Sequence, residues 1–142
     1  SLLQRVQADS VNYKRRVEEE RQELQQRANA QLILRLLPVL DDYERAFQHI
    51  PGDDAVRSWA AGVEMAYRSF RGVLASMGVT QIEAVGRTFD PQEHESMSYE
   101  VAEDQEEDVV MSVVREGYKL HGRVLRPAQV TVSKGKERES AD

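Results

Sequence analysis

Few residues in this chain could do acid-base, nucleophilic or metal chemistry, and those present are badly spaced for it. There is no cysteine, and the three histidines, His49, His94 and His121, lie far apart in sequence. No Gly-rich phosphate loop, metal-binding His pair or nucleophile motif is present, so the constellations that catalysis needs do not assemble. Glu93-His94-Glu95 is the one triplet that suggests a metal. On an extended segment its neighbours point to opposite faces, which leaves at most a weak site. The sequence reads as a protein that is not an enzyme and holds no cofactor or metal, with a hydrolase or transferase the most distant alternative.

The remaining chemistry is charge. The formal net charge of −6 is uneven: residues 1–78 carry 11 Lys/Arg and 11 Asp/Glu, while residues 79–142 carry 8 and 14, so the whole excess lies in the second part. A phosphate backbone favours a basic face, and the run Glu103, Asp104, Glu106, Glu107, Asp108 would repel it, so nucleic acid is a poor partner. The plainer reading of that run is a solvated loop. The most apolar stretch, Leu32 to Leu40, contains Arg35 and Pro38 and is too short to span a bilayer. No membrane partner is expected. Without cysteines, a reducing cytoplasm is the default location. The chain opens in helical pattern without Met, which leads us to expect a preceding segment, and no signal peptide is visible.

The elements that must position these residues follow from periodicity. At 142 residues and 40% hydrophobic content, the chain fits one ordinary domain, or a small domain plus an extended element. The second option fits the pattern. From Ser1 to about His49 there is no glycine and one proline, and good helix formers dominate. One helix over 1–50 would be ~70 Å long and would project from any core this chain could build. Its early stripe, Val6, Ser10, Tyr13, Val17, Arg21, Leu24, Ala28, repeats every eleven residues. That spacing suits paired, nearly straight helices, with Ser10 and Arg21 weakening the seam. Beyond Ala28 the face broadens through Leu32, Ile33, Leu36, Leu37, Leu40, Tyr43, Ala46 and Phe47. A kink is expected near Arg35, ahead of Pro38.

Pro51-Gly52 breaks the helix, Asp53 or Asp54 can cap a second one, and Gly78 ends it. In this second helix, within 51–78, Val56, Trp59, Ala60, Val63, Ala66, Tyr67, Phe70, Val73, Leu74 and Met77 recur at three and four. One hairpin buries too little of two such stripes, whereas two hairpins make a four-helix bundle, so a homodimer is expected. After Gly78 the period becomes two, in short valine-rich runs divided by Gly86, Gly117 and Gly122, which predicts a compact β domain over 79–134. Gly117 and Gly122 are read as positions of unusual dihedral angles. Residues 135–142 read as a flexible tail. The fold class is therefore α+β.

The segment Phe89-Asp90-Pro91-Gln92-Glu93-His94-Glu95-Ser96-Met97 is followed, after a spacer, by Gly117-Tyr118-Lys119-Leu120-His121-Gly122-Arg123-Val124-Leu125-Arg126-Pro127-Ala128-Gln129-Val130-Thr131-Val132. Together they resemble the GrpE family signature, with Ser96 where the pattern usually has Ala or Pro. Asn12-Tyr13-Lys14-Arg15-Arg16 and Leu36-Leu37-Pro38-Val39-Leu40-Asp41-Asp42-Tyr43-Glu44-Arg45-Ala46 are also similar to the family's helical segments. The resemblance implies a parallel dimer of long helices, a four-helix bundle and β domains called wings. It also implies a nucleotide exchange factor that opens the ATPase domain of a DnaK-type chaperone to release ADP, in protein folding and heat stress, without binding the nucleotide itself. A coiled-coil scaffold or adaptor is the alternative, and a small nucleic-acid-binding dimer ranks third.

On that resemblance the partner-binding candidates are Phe89, Pro91, His94, Met97, Val114, Lys119 and Arg126 in the wing, with Lys14, Arg15, Arg16 and Arg45 on the helix. Arg126 and Lys119 are expected to be exposed. The plainer reading makes Phe89, Pro91 and Met97 wing packing, Asp90-Pro91 a turn, and the basic cluster a solvated face paired with Glu18, Glu19 and Glu20. Dimerisation is assigned to Val6, Tyr13, Val17, Leu24, Ala28, Leu32, Leu36, Leu40 and Phe47 of the long helix, with Trp59, Val63 and Phe70 of the second.

Overall fold

The computed structural model describes residues 1–135, and the chain is α+β: two helices, α1 (Leu2–Phe47) and α2 (Asp54–Ser76), precede six short strands. The expected tail lies, from residue 136 on, outside the described residues. Two compact units divide at Leu37/Pro38, inside α1. Pro38 takes one donor from the helical ladder, yet α1 continues through it to Phe47.

In the first unit every residue from Ser1 to Asn29 is exposed. Its side chains interact locally: Arg21 donates to Glu18 at 2.7 Å, which holds that carboxyl below its ordinary range, and the Arg16 guanidinium lies 5.7 Å from the Tyr13 ring centre. Ile33 and Leu37 are the buried residues of this stretch.

The second unit begins with the end of α1. Leu40 is fully buried there, and Tyr43, Phe47 and the α2 residue Tyr67 form an aromatic cluster with ring centres 5.3–6.2 Å apart. Asp53 is the residue that caps α2, accepting from the Ala55 N–H at 2.9 Å, and Gly78, at φ +92°, follows its last turn. Ala60, Tyr67 and Leu74 form the buried side of α2, while Trp59, Phe70, Val73 and Met77 remain exposed.

The strands are β1 (Val79–Gln81), β2 (His94–Val101), β3 (Val110–Arg115), β4 (Tyr118–Leu120), β5 (Arg123–Arg126) and β6 (Ala128–Lys134). They form two three-stranded sheets, an antiparallel one ordered β1-β4-β5 and a mixed one ordered β2-β6-β3, in which β2 runs parallel to β6. The β4–β5 turn places both His121 and Gly122 at positive φ, as a two-residue primed turn requires. The core is Ile82, Ala84, Val110, Ala128, Val130 and Val132, with Phe89 and Val113 packed against it.

The chain crosses from the mixed sheet to the antiparallel one at Glu116-Gly117 and returns at Pro127. Those two crossings touch. A Cβ on Gly117 would collide with the backbone of Pro127 and Ala128, so glycine is required by close approach rather than by the unusual dihedral expected from sequence. Gly122, at φ +80°, does have that dihedral.

Candidate functional site

Three register shifts interrupt the mixed sheet, one of them at the half-buried Met111 of β3, and the other two fall at exposed residues. On β2 the register with β6 shifts between Ser96 and Ser98, leaving Met97 as the extra residue, and on β3 it shifts between Val113 and Arg115, leaving Val114. A bulge re-aims its side chain and interrupts the ladder. Both bulged residues are largely exposed, Met97 at 52% and Val114 at 62%, beside a central strand that is almost wholly buried. Tyr99 and Val101 on β2 add two further exposed apolar side chains that the sequence reading did not single out. Their alternation along a strand was the signal available. Exposed apolar side chains of this kind can desolvate against a partner, and none of them can make or break a bond.

The other wing candidates have different surroundings. Phe89 is partly buried and stacks at 5.9 Å on His94, which is itself buried. The Asp90 N–H donates to His94 Nδ1 at 3.0 Å, so the neutral ring has its proton on Nε2. His94 thus shapes the turn at Asp90-Pro91, where Pro91 is exposed. Its neighbours diverge: Glu93 pairs with Lys119, and Glu95 accepts from Gln129. Among the described residues no three or more acidic or His side chains come together as a metal would need.

Two expectations of exposure need correction. Lys119 is half-buried in its ion pair with Glu93. Arg126 is 8% exposed and bonded to Asp41 of α1, with Nη1 donating to Oδ2 at 2.6 Å and Nη2 to Oδ1. A guanidinium so far from water must be paired, and its partner comes from the same chain. The dimerisation list also needs one correction, because Leu40 is fully buried within the protomer and has no surface left for a second copy. Leu36, Phe47 and Val63 are half-buried, whereas Val6, Tyr13, Val17, Leu24, Ala28, Leu32, Trp59 and Phe70 are exposed.

On the helix, Lys14, Arg15 and Arg16 are exposed, and Arg45 pairs with Asp42 at 3.1 Å at the surface. Such an exposed pair contributes little to stability.

A polar layer missed by sequence reading lies where α1 and α2 meet the antiparallel sheet. Tyr67 donates to Glu44 at 2.7 Å, and Arg71 donates to Gln81 at 2.6 Å. Burial, then the Glu44 carboxylate, pushes the Tyr67 hydroxyl well above its usual range and the Tyr118 hydroxyl up to about 12. The same two causes raise the Glu116 carboxyl. Among the described residues, the Tyr118 hydroxyl and His94 Nε2 are buried without a hydrogen-bond partner.

Comparison with known proteins places this architecture. The chain matches the GrpE family model over residues 1–134. It is 40% identical over 129 residues to Protein GrpE of Bacillus cereus (strain ATCC 10987 / NRS 248), covering 91% of this chain and 67% of that protein. Identity to Protein GrpE of Thermotoga neapolitana is 41% over 134 residues, covering 92% and 77%, and to that of Thermotoga petrophila 44% over 126 residues, covering 89% and 71%. The chain thus spans about two thirds of the Bacillus relative's length. No helix among the described residues is long and apolar enough to cross a membrane.

Proposed function

The chain belongs to the GrpE family, and on that premise we propose that it is an adenine nucleotide exchange factor for a DnaK-type chaperone, acting in protein folding and heat stress. It binds the chaperone's ATPase domain with the nucleotide cleft open and thereby speeds the loss of ADP. The mechanism is linkage: a protein that binds the open, empty state more tightly weakens nucleotide binding by the same factor, so it need not touch the nucleotide. Binding alone does this work, and no catalytic residue takes part.

The observation that carries this reading is the match running unbroken through both helices and the wing, 134 residues in all. A coiled-coil scaffold would use the helices and leave the wing without a task. The exposed, bulged Met97 and Val114 supply an apolar contact for the ATPase domain, and the basic stretch Lys14, Arg15, Arg16 supplies a charged one. The working unit is a homodimer in the cytoplasm, paired through α1 over 1–50 and through α2 within 51–78, with the wing at 79–134. Exposed Val6, Tyr13, Val17 and Leu24 on α1, and Trp59, Phe70 and Val73 on α2 with Met77 just past its end, supply the apolar surface that pairing needs.

The test is release of a fluorescent ADP analogue from a DnaK-type chaperone. Release should accelerate with added protein and then saturate. An unchanged release rate at saturating protein would overturn the reading.

A further inference from the structure

Arg126 stands at an unusual place in the chain. It is the last residue of β5, immediately before the crossing that leads into β6. Its Nε donates to the carbonyl of Glu116 at 2.9 Å, and Glu116 lies in the opposite crossing, between β3 and β4. One guanidinium therefore ties together the two short crossings, Glu116-Gly117 and Pro127, of the three by which the wing chain passes between its sheets. The other two nitrogens go to the Asp41 carboxylate, 85 residues away on α1, and the guanidinium carbon lies 5.5 Å from the Tyr118 ring centre. All three nitrogens are used, each in a direction fixed by the planar fork.

Apolar burial is non-directional and tolerates rotation, whereas a two-pronged Arg-carboxylate bond does not. The mixed sheet bearing Met97 and Val114 joins the antiparallel sheet through the longer β1–β2 connection and through the two short crossings that Arg126 binds and Gly117 brings into contact. We propose that Arg126 is a positioning residue for nucleotide exchange: bonded to Asp41, it fixes the direction in which the wing presents Met97 and Val114 to the chaperone. The inference rests on the exchange-factor reading above. A wing that swings freely still binds, but it no longer converts binding into cleft opening, because coupling requires different contacts in the open and closed states.

The test uses the full chain with two conservative variants, Arg126→Lys and Asp41→Asn, which keep polarity and volume but lose the fork. The chain has no cysteine, so spin labels can be placed at Gln48→Cys, just past α1, and Glu100→Cys, on β2. Label distances are measured in dimers diluted with unlabelled chain. The parent should give a narrow distribution and both variants a broad one, a readout independent of the chaperone. In the exchange assay both variants should lose about tenfold or more in maximal acceleration, while the half-saturating concentration moves by less than about threefold. An Ile82→Val core variant controls for lost wing stability and should keep the maximal rate. Narrow distances in both variants overturn the proposal whatever the parent does in the exchange assay, and so does a full maximal rate in folded Arg126→Lys and Asp41→Asn proteins. Failure of the parent to accelerate release, with distances that broaden as expected, removes the exchange-factor reading and with it the role in exchange, leaving Arg126 as a purely architectural clamp.

Discussion

The first 28 residues of α1, from Leu2 to Asn29, and the strand β6 are opposite solutions to the same problem. Along α1 every side chain to Asn29 is exposed, whereas on β6 only Gln129 and Lys134 escape burial. The helix satisfies its backbone internally but buries no apolar face, and helix propensity alone leaves isolated helices marginal in water. The strand has neighbours on both sides and a core beneath it. Order in the wing is therefore intrinsic to one chain, and order in the early helix depends on what covers Val6, Tyr13, Val17 and Leu24.

The largest effect should separate these regions outright. Val130 is wholly buried, and Val130→Ala should destabilise the wing by ~2–4 kcal/mol through lost burial and a residual cavity. Val17→Ala should leave wing stability untouched and weaken only dimerisation. Amide hydrogen exchange of β6 reads the first, and sedimentation equilibrium reads the second. If both substitutions loosened β6 equally, the two regions would be one cooperative unit and the comparison would fail.

Next comes the division within the wing. Met97→Ala should raise the rate of dissociation from the chaperone by a factor worth about 2 kcal/mol while leaving unfolding unchanged, as for a desolvated contact on a stable scaffold. Phe89→Ala should do the reverse, because Phe89 packs on the core and on His94, and its truncation should destabilise the wing by ~2–3 kcal/mol. Urea unfolding beside surface plasmon resonance distinguishes them. Loss of chaperone binding in a fully stable Phe89→Ala protein would move Phe89 from packing to interface.

A smaller effect is expected on the helix. Replacing Lys14, Arg15 and Arg16 together with Ala should slow association by roughly threefold to tenfold at low salt and flatten its salt dependence, since exposed charges act mainly through steering. An association rate indifferent to the triple change at two salt concentrations would return the cluster to a solvated face.

The smallest effect is electrostatic and belongs to the wing's polar layer. Burial and Glu44 raise the Glu116 carboxyl above its ordinary 4.5, so the fold disfavours its charged form. For this group stability falls as pH climbs from that ordinary value through the raised one, and acidification restores it. Glu116→Gln should then stabilise the wing near neutral pH by less than about 1 kcal/mol after solvent screening, with no gain below the ordinary carboxyl range. Urea midpoints at the two pH values check the sign, and a gain of equal size at both would exclude the carboxyl as its cause.

Much of this was legible in the residues themselves. The run of helix formers without glycine dictated α1, and Pro51-Gly52, the Asp53 cap and Gly78 bounded α2. The change of period after Gly78 announced strands, and the Phe89 and Gly117 segments pointed to the family, because all of these are local patterns. Sequence could not tell which partner covers an apolar face. Leu40 and Leu36 share one stripe, yet Leu40 is fully buried within its own protomer while Leu36 is half-exposed. Nor could it place Arg126, whose counter-charge lies 85 residues away, or show that Gly117 is glycine because Ala128 comes close to it. The parallel pairing of β2 with β6 and the bulges that expose Met97 and Val114 are likewise long-range. Periodicity records what each residue prefers to face, but only tertiary closure decides what stands there.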